Sequence, residues 1–163
     1  MRRLILMRHA KSSWDSPMIS DHERPLNARG TRSAKALGEW LRRNAFAPDE
    51  ALVSDAARTQ ATLTGLALAL TPRLLSKLYH AGPETMFDTL RDATGSSVLM
   101  IGHNPGIAEF AAALVSHPSD HPRFYDYPTG ATLVADFEIE AWNDLKLGMG
   151  EVKAFIIPRE LEA

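Results

Sequence analysis

The chain has 163 residues and no cysteine, which excludes disulfides, thiolate catalysis and cysteine zinc sites together. It also lacks an excess of either charge. Eighteen basic and 20 acidic residues leave a formal net charge of −2, which gives no electrostatic case for nucleic acid or an anionic membrane. Long apolar runs are missing too. No window approaches the uninterrupted span needed to cross a bilayer. The N-terminal Arg2-Arg3 pair leads into an apolar run that Arg8 cuts off well short of a signal-peptide core. A cytoplasmic protein is the expectation. No repeat, low-complexity tract or linker divides the chain, so one domain over 1–163 is expected, with 45% apolar residues to build its core.

What is present is an alternation of short apolar runs and helical patterns. Leu4 to Met7 reads as a short buried strand. Lys11 to Asn27, with Pro17 and Pro25, reads as a loop, long enough to suggest a functional one. Ala28 to Asn44 has the helical apolar pattern Ala34, Leu37, Trp40 and Leu41, with Asn27 as N-cap and Arg42-Arg43 at the negative end. Ala51 to Ser54 is a strand, Ala56 to Leu70 a helix, and Leu74 to Tyr79 a third strand. Pro83 opens a helix at the position that favours proline. Ser97 to Ile101 is the clearest buried strand, followed by Ile107, Phe110, Ala111 and Leu114 at helical spacing. The stretch Ser116 to Thr129, punctuated by Pro118, Pro122 and Pro128, reads as loop. His117 and His121 are therefore not expected to sit on a zinc-binding helix. Ala131 to Phe137 and Val152 to Ile157 close the chain as a hairpin-like pair of strands. The fold class expected is α/β, a mostly parallel sheet with helices on both faces.

Three strand ends carry chemistry. The first offers Arg8 and His9, the second offers Arg58 across a short turn, and the fourth offers His103. Parallel strands bring their carboxyl ends to one edge, where ligands collect. An imidazole there is a candidate nucleophile, and guanidinium groups hold phosphate. Arg58 falls in the first turn of its helix, where a cation is disfavoured unless an anion offsets it. Gly102-His103-Asn104-Pro105-Gly106 presents backbone N–H groups at a helix start, an anion site, or reads as an ordinary cap with Asn104 at N-cap and Pro105 at N1.

Arg8-His9-Ala10, Ser54-Asp55-Ala56-Ala57-Arg58-Thr59 and Gly102-His103-Asn104 resemble the three motifs of the histidine phosphatase superfamily, the phosphoglycerate-mutase-like fold. Glu23-Arg24-Pro25-Leu26 followed by Asn27 to Gly30 resembles its small SixA-type phosphohistidine phosphatase branch. The resemblance runs from the first strand to Thr129-Gly130. It implies a three-layer α/β/α sandwich in which His9 attacks phosphorus and is transiently phosphorylated. It implies that Arg8, Arg58 and His103 bind the phosphoryl oxygens, that Arg24 adds a further guanidinium, and that Asn104 lies on the substrate side. The physics of phosphoryl transfer fits these roles. An in-line nucleophile and dense positive charge on the equatorial oxygens do most of the work, so no metal or other cofactor is expected. Neighbouring cations would also keep the His9 imidazole unprotonated.

Two positions depart from the familiar pattern. Ala10 replaces the glycine of Arg-His-Gly, at a cost of about 1 kcal/mol if that backbone needs positive φ. In place of the carboxylic acid that protonates an alcohol leaving group, the matching region Leu78 to Gly82 offers His80, with Glu84 next. A missing acid matters less when the leaving group is an imidazole. The chain also has little length for the segment that encloses small substrates in the mutases. The expected activity is therefore a metal-independent phosphatase acting on phosphohistidine in a partner signalling protein, with neither nucleic acid nor membrane as partner. A small-molecule phosphomonoesterase and a non-catalytic phosphate- or phosphohistidine-binding module are the alternatives.

Overall fold

Strand β1 (Arg2–Arg8) occupies the interior of a six-stranded sheet, and everything that positions the site is measured from it. The computed structural model describes residues 1–162. Among the described residues the remaining elements are α1 (Ala28–Arg43), β2 (Glu50–Ser54), α2 (Ala57–Leu66), β3 (Arg73–Leu75), α3 (Pro83–Arg91), β4 (Ser97–Gly102), α4 (Gly106–Leu114), β5 (Thr132–Phe137) and β6 (Glu151–Ile156), with short 3-10 turns between them. The strand order is β3-β2-β4-β1-β5-β6. The first four in that order run parallel, and β5 and β6 are antiparallel to their neighbours.

The apolar run of β1 explains its place. Leu4, Ile5, Leu6 and Met7 are all fully buried, as a strand covered on both faces requires. Leu4 and Leu6 join the core with Met86, Leu90, Ile107 and Phe110, from α3 and α4. Ile5 and Met7 face the other way, onto Leu37, Leu41 and Leu66 of α1 and α2. Each such side chain contributes on the order of 2 kcal/mol by burial. The result is the three-layer α/β/α sandwich expected from the alternation.

Several boundaries differ from the sequence reading. Helix α2 stops at Leu66, four residues short of the expected Leu70, where Ala67 turns into the left-handed region at φ 54°. Strand β3 is only Arg73–Leu75, because Ser76–Leu78 tighten into a 3-10 turn that buries Leu78. Asn27 caps α1 as expected, its side chain accepting from the Gly30 N–H at 2.8 Å. Asn104 does not cap α4. Pro105 occupies that position, after a cis Asn104–Pro105 bond, and the Asn104 amide is spent elsewhere.

The long loop between β1 and α1 is tied down. Ser12 bridges Leu26, Ser13 N–H donates to Pro25 O at 2.8 Å, and Asn27 N–H donates to Lys11 O at 3.0 Å. A 3-10 turn, Asp21–Glu23, sits at its centre. Gly30 allows α1 to close on this loop, since a Cβ there would stand 2.0 Å from Lys11 O.

Candidate active site

Register brings the site together. Arg8 pairs with Gly102 across β1 and β4, so the next residue on each strand, His9 and His103, leaves the sheet side by side. Their ring centroids are 5.4 Å apart. Strand β2, on the other side of β4, ends at Ser54 and delivers Arg58 one turn later. The antiparallel β5 starts at the same edge, where Gly130 N–H donates to His9 O at 2.8 Å. Arg8, His9, Arg24, Arg58, His103 and Asn104 all line one cavity of about 280 Å³.

Hydrogen bonds fix the tautomer of His9. Its Nδ1 lies 2.7 Å from Ala10 O. A carbonyl only accepts, so Nδ1 carries the hydrogen. Nε2 is left with its lone pair, and Arg58 Nε–H points at it from 3.4 Å. Protonation at Nε2 is strongly opposed, and the His9 pKa is lowered to about 3. Burial is the largest cause, and the charges of Arg8, Arg58 and Arg24 add to it. From the sequence the cations alone are legible.

The same logic applies to His103. A guanidinium only donates, so the 3.4 Å contact from Arg58 Nη2 makes Nδ1 the acceptor. Nε2–H then donates to Ser54 Oγ at 2.8 Å. This ring is also held neutral, its pKa lowered to about 3 by burial first, then by His9, Arg58 and His80. Ser54 itself is fully buried; it opens the second motif, but the sequence assigns it no role.

Arg58 is 2% exposed, with an anion to offset it. That anion is Asp21, in the middle of the long loop. Arg58 Nη1 donates to Asp21 O at 2.7 Å and Nη2 to its Oδ2 at 3.1 Å. Asp21 Oδ1 accepts from Arg24 Nε at 3.0 Å, and Tyr79 OH also donates to Oδ2. Tyr79, then Arg24 and Arg58, hold this carboxyl well below the usual carboxylate range. Asp21 is not legible in the sequence, because a lone acid in a polar loop carries no periodic or motif signal. The dipole argument for Arg58 required such an anion without saying where it was.

Arg24 is buried beneath an exposed Trp14, its guanidinium 3.5 Å from the indole centroid. Its Nη1 donates to Ser12 Oγ at 2.6 Å and to Ser13 O at 3.1 Å. Trp14 lines the same cavity. Arg8 is anchored through Nη1 to Tyr127 O at 3.2 Å.

Asn104 reaches that same carbonyl. Its Nδ2 donates to Asp126 O at 2.9 Å and Tyr127 O at 3.1 Å, while Oδ1 is buried without a partner. Both amide hydrogens are thus committed to the loop that holds Arg8, and Oδ1 offers no donor to a phosphoryl oxygen. The helix start after it also falls outside the cavity. Gly106 packs on Ala81, where a Cβ would be 1.8 Å from the carbonyl oxygen.

The two departures now have physical answers. Ala10 does not take positive φ, so alanine there carries no strain; its N–H donates to Thr62 Oγ1 at 3.0 Å. His80 lines the cavity and holds the left-handed conformation at φ 53°. Its Nε2 lies 3.1 Å from Asp21 Oδ2. Glu84 is exposed on α3 and does not line the cavity. His121 is engaged with Glu160 at 2.7 Å, away from the site.

No helix among the described residues is long and apolar enough to cross a membrane. Residues 4–79 match the family model for the histidine phosphatase superfamily (branch 1). An uncharacterized protein of Mycobacterium leprae is 33% identical over 162 residues, 94% of this chain and 100% of that one. A protein of Nakamurella multipartitia assigned as a phosphohistidine phosphatase SixA is 31% identical, superimposes with a TM-score of 0.86, and is matched over 96% of both chains. The protein histidine phosphatase SixA complexed with tungstate shares the fold at 23% identity, with a TM-score of 0.81 over 98% of this chain and 99% of that one. A neutral imidazole at a strand end, guanidinium groups converging on it from its own strand and two other segments, and relatives aligned from end to end put this chain in the SixA-type branch of the histidine phosphatase superfamily, as a phosphatase.

Proposed function

We propose that the protein dephosphorylates phosphohistidine carried by another protein, through a phosphoryl group held transiently on His9. The observation that carries this reading is the state of His9, whose Nδ1–H is donated to Ala10 O while Nε2 keeps its lone pair on a cavity wall.

In the first half-reaction Nε2 attacks phosphorus in line. The Nε2–P bond forms as the substrate N–P bond breaks, and the electron pair of that bond returns to the leaving imidazole. Arg8, Arg24 and Arg58 supply the positive charge that the three equatorial oxygens require. In this reading they do the work that a metal ion does elsewhere. In the second half-reaction water attacks phosphorus and the Nε2–P bond breaks. The proton lost by water passes to solvent and inorganic phosphate leaves.

The leaving group follows from the carboxyl in the cavity. Asp21 is the acid nearest the reacting atoms, but Tyr79, Arg24 and Arg58 keep it ionised, so it has no proton to give at neutral pH. The other candidate acid on that wall, His80, has its Nε2–H engaged by Asp21 Oδ2 at 3.1 Å, so an alkoxide would leave slowly from such a site. An imidazole whose remote nitrogen is already protonated leaves as a neutral molecule and needs no acid.

Incubation with ³²P-phosphohistidine protein tests the reading. An acid-labile label on His9, absent from His9→Ala, is expected, with turnover of phosphohistidine well above that of simple phosphate esters. Faster turnover of esters, or binding of phosphohistidine without release, would overturn it.

A further inference from the structure

The active-site cavity shares part of its wall with a second one. Lys11 and Thr129 line both. The second has a volume of about 190 Å³, and Arg29, Arg123, Pro128 and Arg159 stand around it. Four cations thus surround a small concavity that no carboxylate residue lines, in a chain whose formal net charge is −2. The clustering is not a by-product of overall basicity.

The four come from separate segments: the exit of β1, the first turn of α1, the loop before β5 and the last 3-10 turn, Pro158–Leu161. Two are partly neutralised. Arg123 Nε is 2.8 Å from Asp126 Oδ2, and Arg29 Nε is a loose 3.7 Å from Glu162 Oε1. Lys11 and Arg159 have no carboxylate partner among the described residues. Arg29 also stands at a helix N-terminus with no acid in that turn, where the macrodipole disfavours a cation. Gathered like charges repel one another and raise the local concentration of anions.

We propose that this second cavity receives an aspartate or glutamate side chain lying beside the phosphorylated residue of a protein substrate. The inference rests on the protein-phosphohistidine reading above. A phosphoryl group held by Arg8, Arg24 and Arg58 leaves the flanking chain of its carrier to cross the rim at Lys11 and Thr129. A carboxylate a short way along that chain then falls among Arg29, Arg123 and Arg159. The site selects carriers with acidic flanks and repels basic ones.

The test uses peptides in which phosphohistidine is flanked by glutamate, alanine or lysine, with free phosphohistidine as the control. For the wild-type protein, kcat/KM should fall from glutamate to alanine to lysine by about tenfold at each step at low salt, and the spread should collapse at high salt. In Arg29→Glu/Arg159→Glu, both changes at exposed positions, the order should reverse while free phosphohistidine is turned over as before. Indifference of the wild-type protein to flanking charge, or an unchanged preference in the double variant, would overturn the subsite alone. If no phosphohistidine peptide is turned over, the substrate reading fails separately. The same series built on phosphoserine then decides the subsite, with acidic preference supporting it and indifference overturning it.

Discussion

Asp21 and Arg58, 37 residues apart in the chain, meet through two hydrogen bonds, one from Nη1 to the backbone oxygen and one from Nη2 to the carboxylate. The double contact leaves Nε of the same guanidinium directed at His9 Nε2. An anion in a phosphate site is unfavourable for binding by charge alone. Here it is engaged by Tyr79, Arg24 and Arg58 at once, and its service is to hold two guanidiniums at fixed angles.

Asp21→Asn tests that service. The asparagine keeps the backbone contact and loses the charge that grips Arg24 and Arg58. We expect kcat/KM towards phosphohistidine to fall by about 10–100-fold, mainly through kcat, since positioning in the transition state is what is lost. Steady-state kinetics would measure it. An unchanged kcat would show that the arginines hold their places without the carboxylate.

The two buried histidines set a pH dependence. Both have folded pKa values lowered to about 3 from 6.5. The unfolded chain therefore binds more protons than the folded one between those values, and stability is complete above 6.5 and lost as pH falls towards 3. Each histidine contributes a slope of about 1.4 kcal/mol per pH unit in that window. Denaturant melts from pH 7 to pH 4 should show this, and the slope should become shallower in His103→Gln. NMR should find neither ring titrating between pH 5 and 8.

Gly106→Ala should damage the fold. The added Cβ would stand 1.8 Å from Ala81 O, a backbone atom with no easy retreat. A loss of about 1–3 kcal/mol is expected, typical of overpacking a rigid site, read as a drop in thermal midpoint.

Trp14 is 72% exposed yet stacks on the buried Arg24. Trp14→Ala should change stability by less than about 0.5 kcal/mol, as exposed positions do. KM for phosphohistidine should rise several-fold, because Arg24 loses its stacking partner on the open side. An unchanged KM would mean that Ser12, Ser13 and Asp21 suffice to hold it.

Local chemistry made much of this legible from the chain alone. Leu4–Met7 could only be a doubly covered strand, Asn27 a cap, and Arg8, His9, Arg58 and His103 residues at the ends of parallel strands. These depend on runs, periods and neighbours within a few positions. Tertiary structure alone decided the strand order, the anion that offsets Arg58 and the partner that fixes His103. Asp21 looks ordinary in the sequence and Ser54 is only the first residue of a motif; the pairing of β2 with β4 brings Ser54 to His103, and the tied-down loop after β1 brings Asp21 to Arg58. Asn104 shows the converse. Its neighbours spell a helix cap, but a loop some twenty residues later takes its amide. Which of two satisfied states a polar group adopts depends on what the fold carries past it, and no local pattern encodes that.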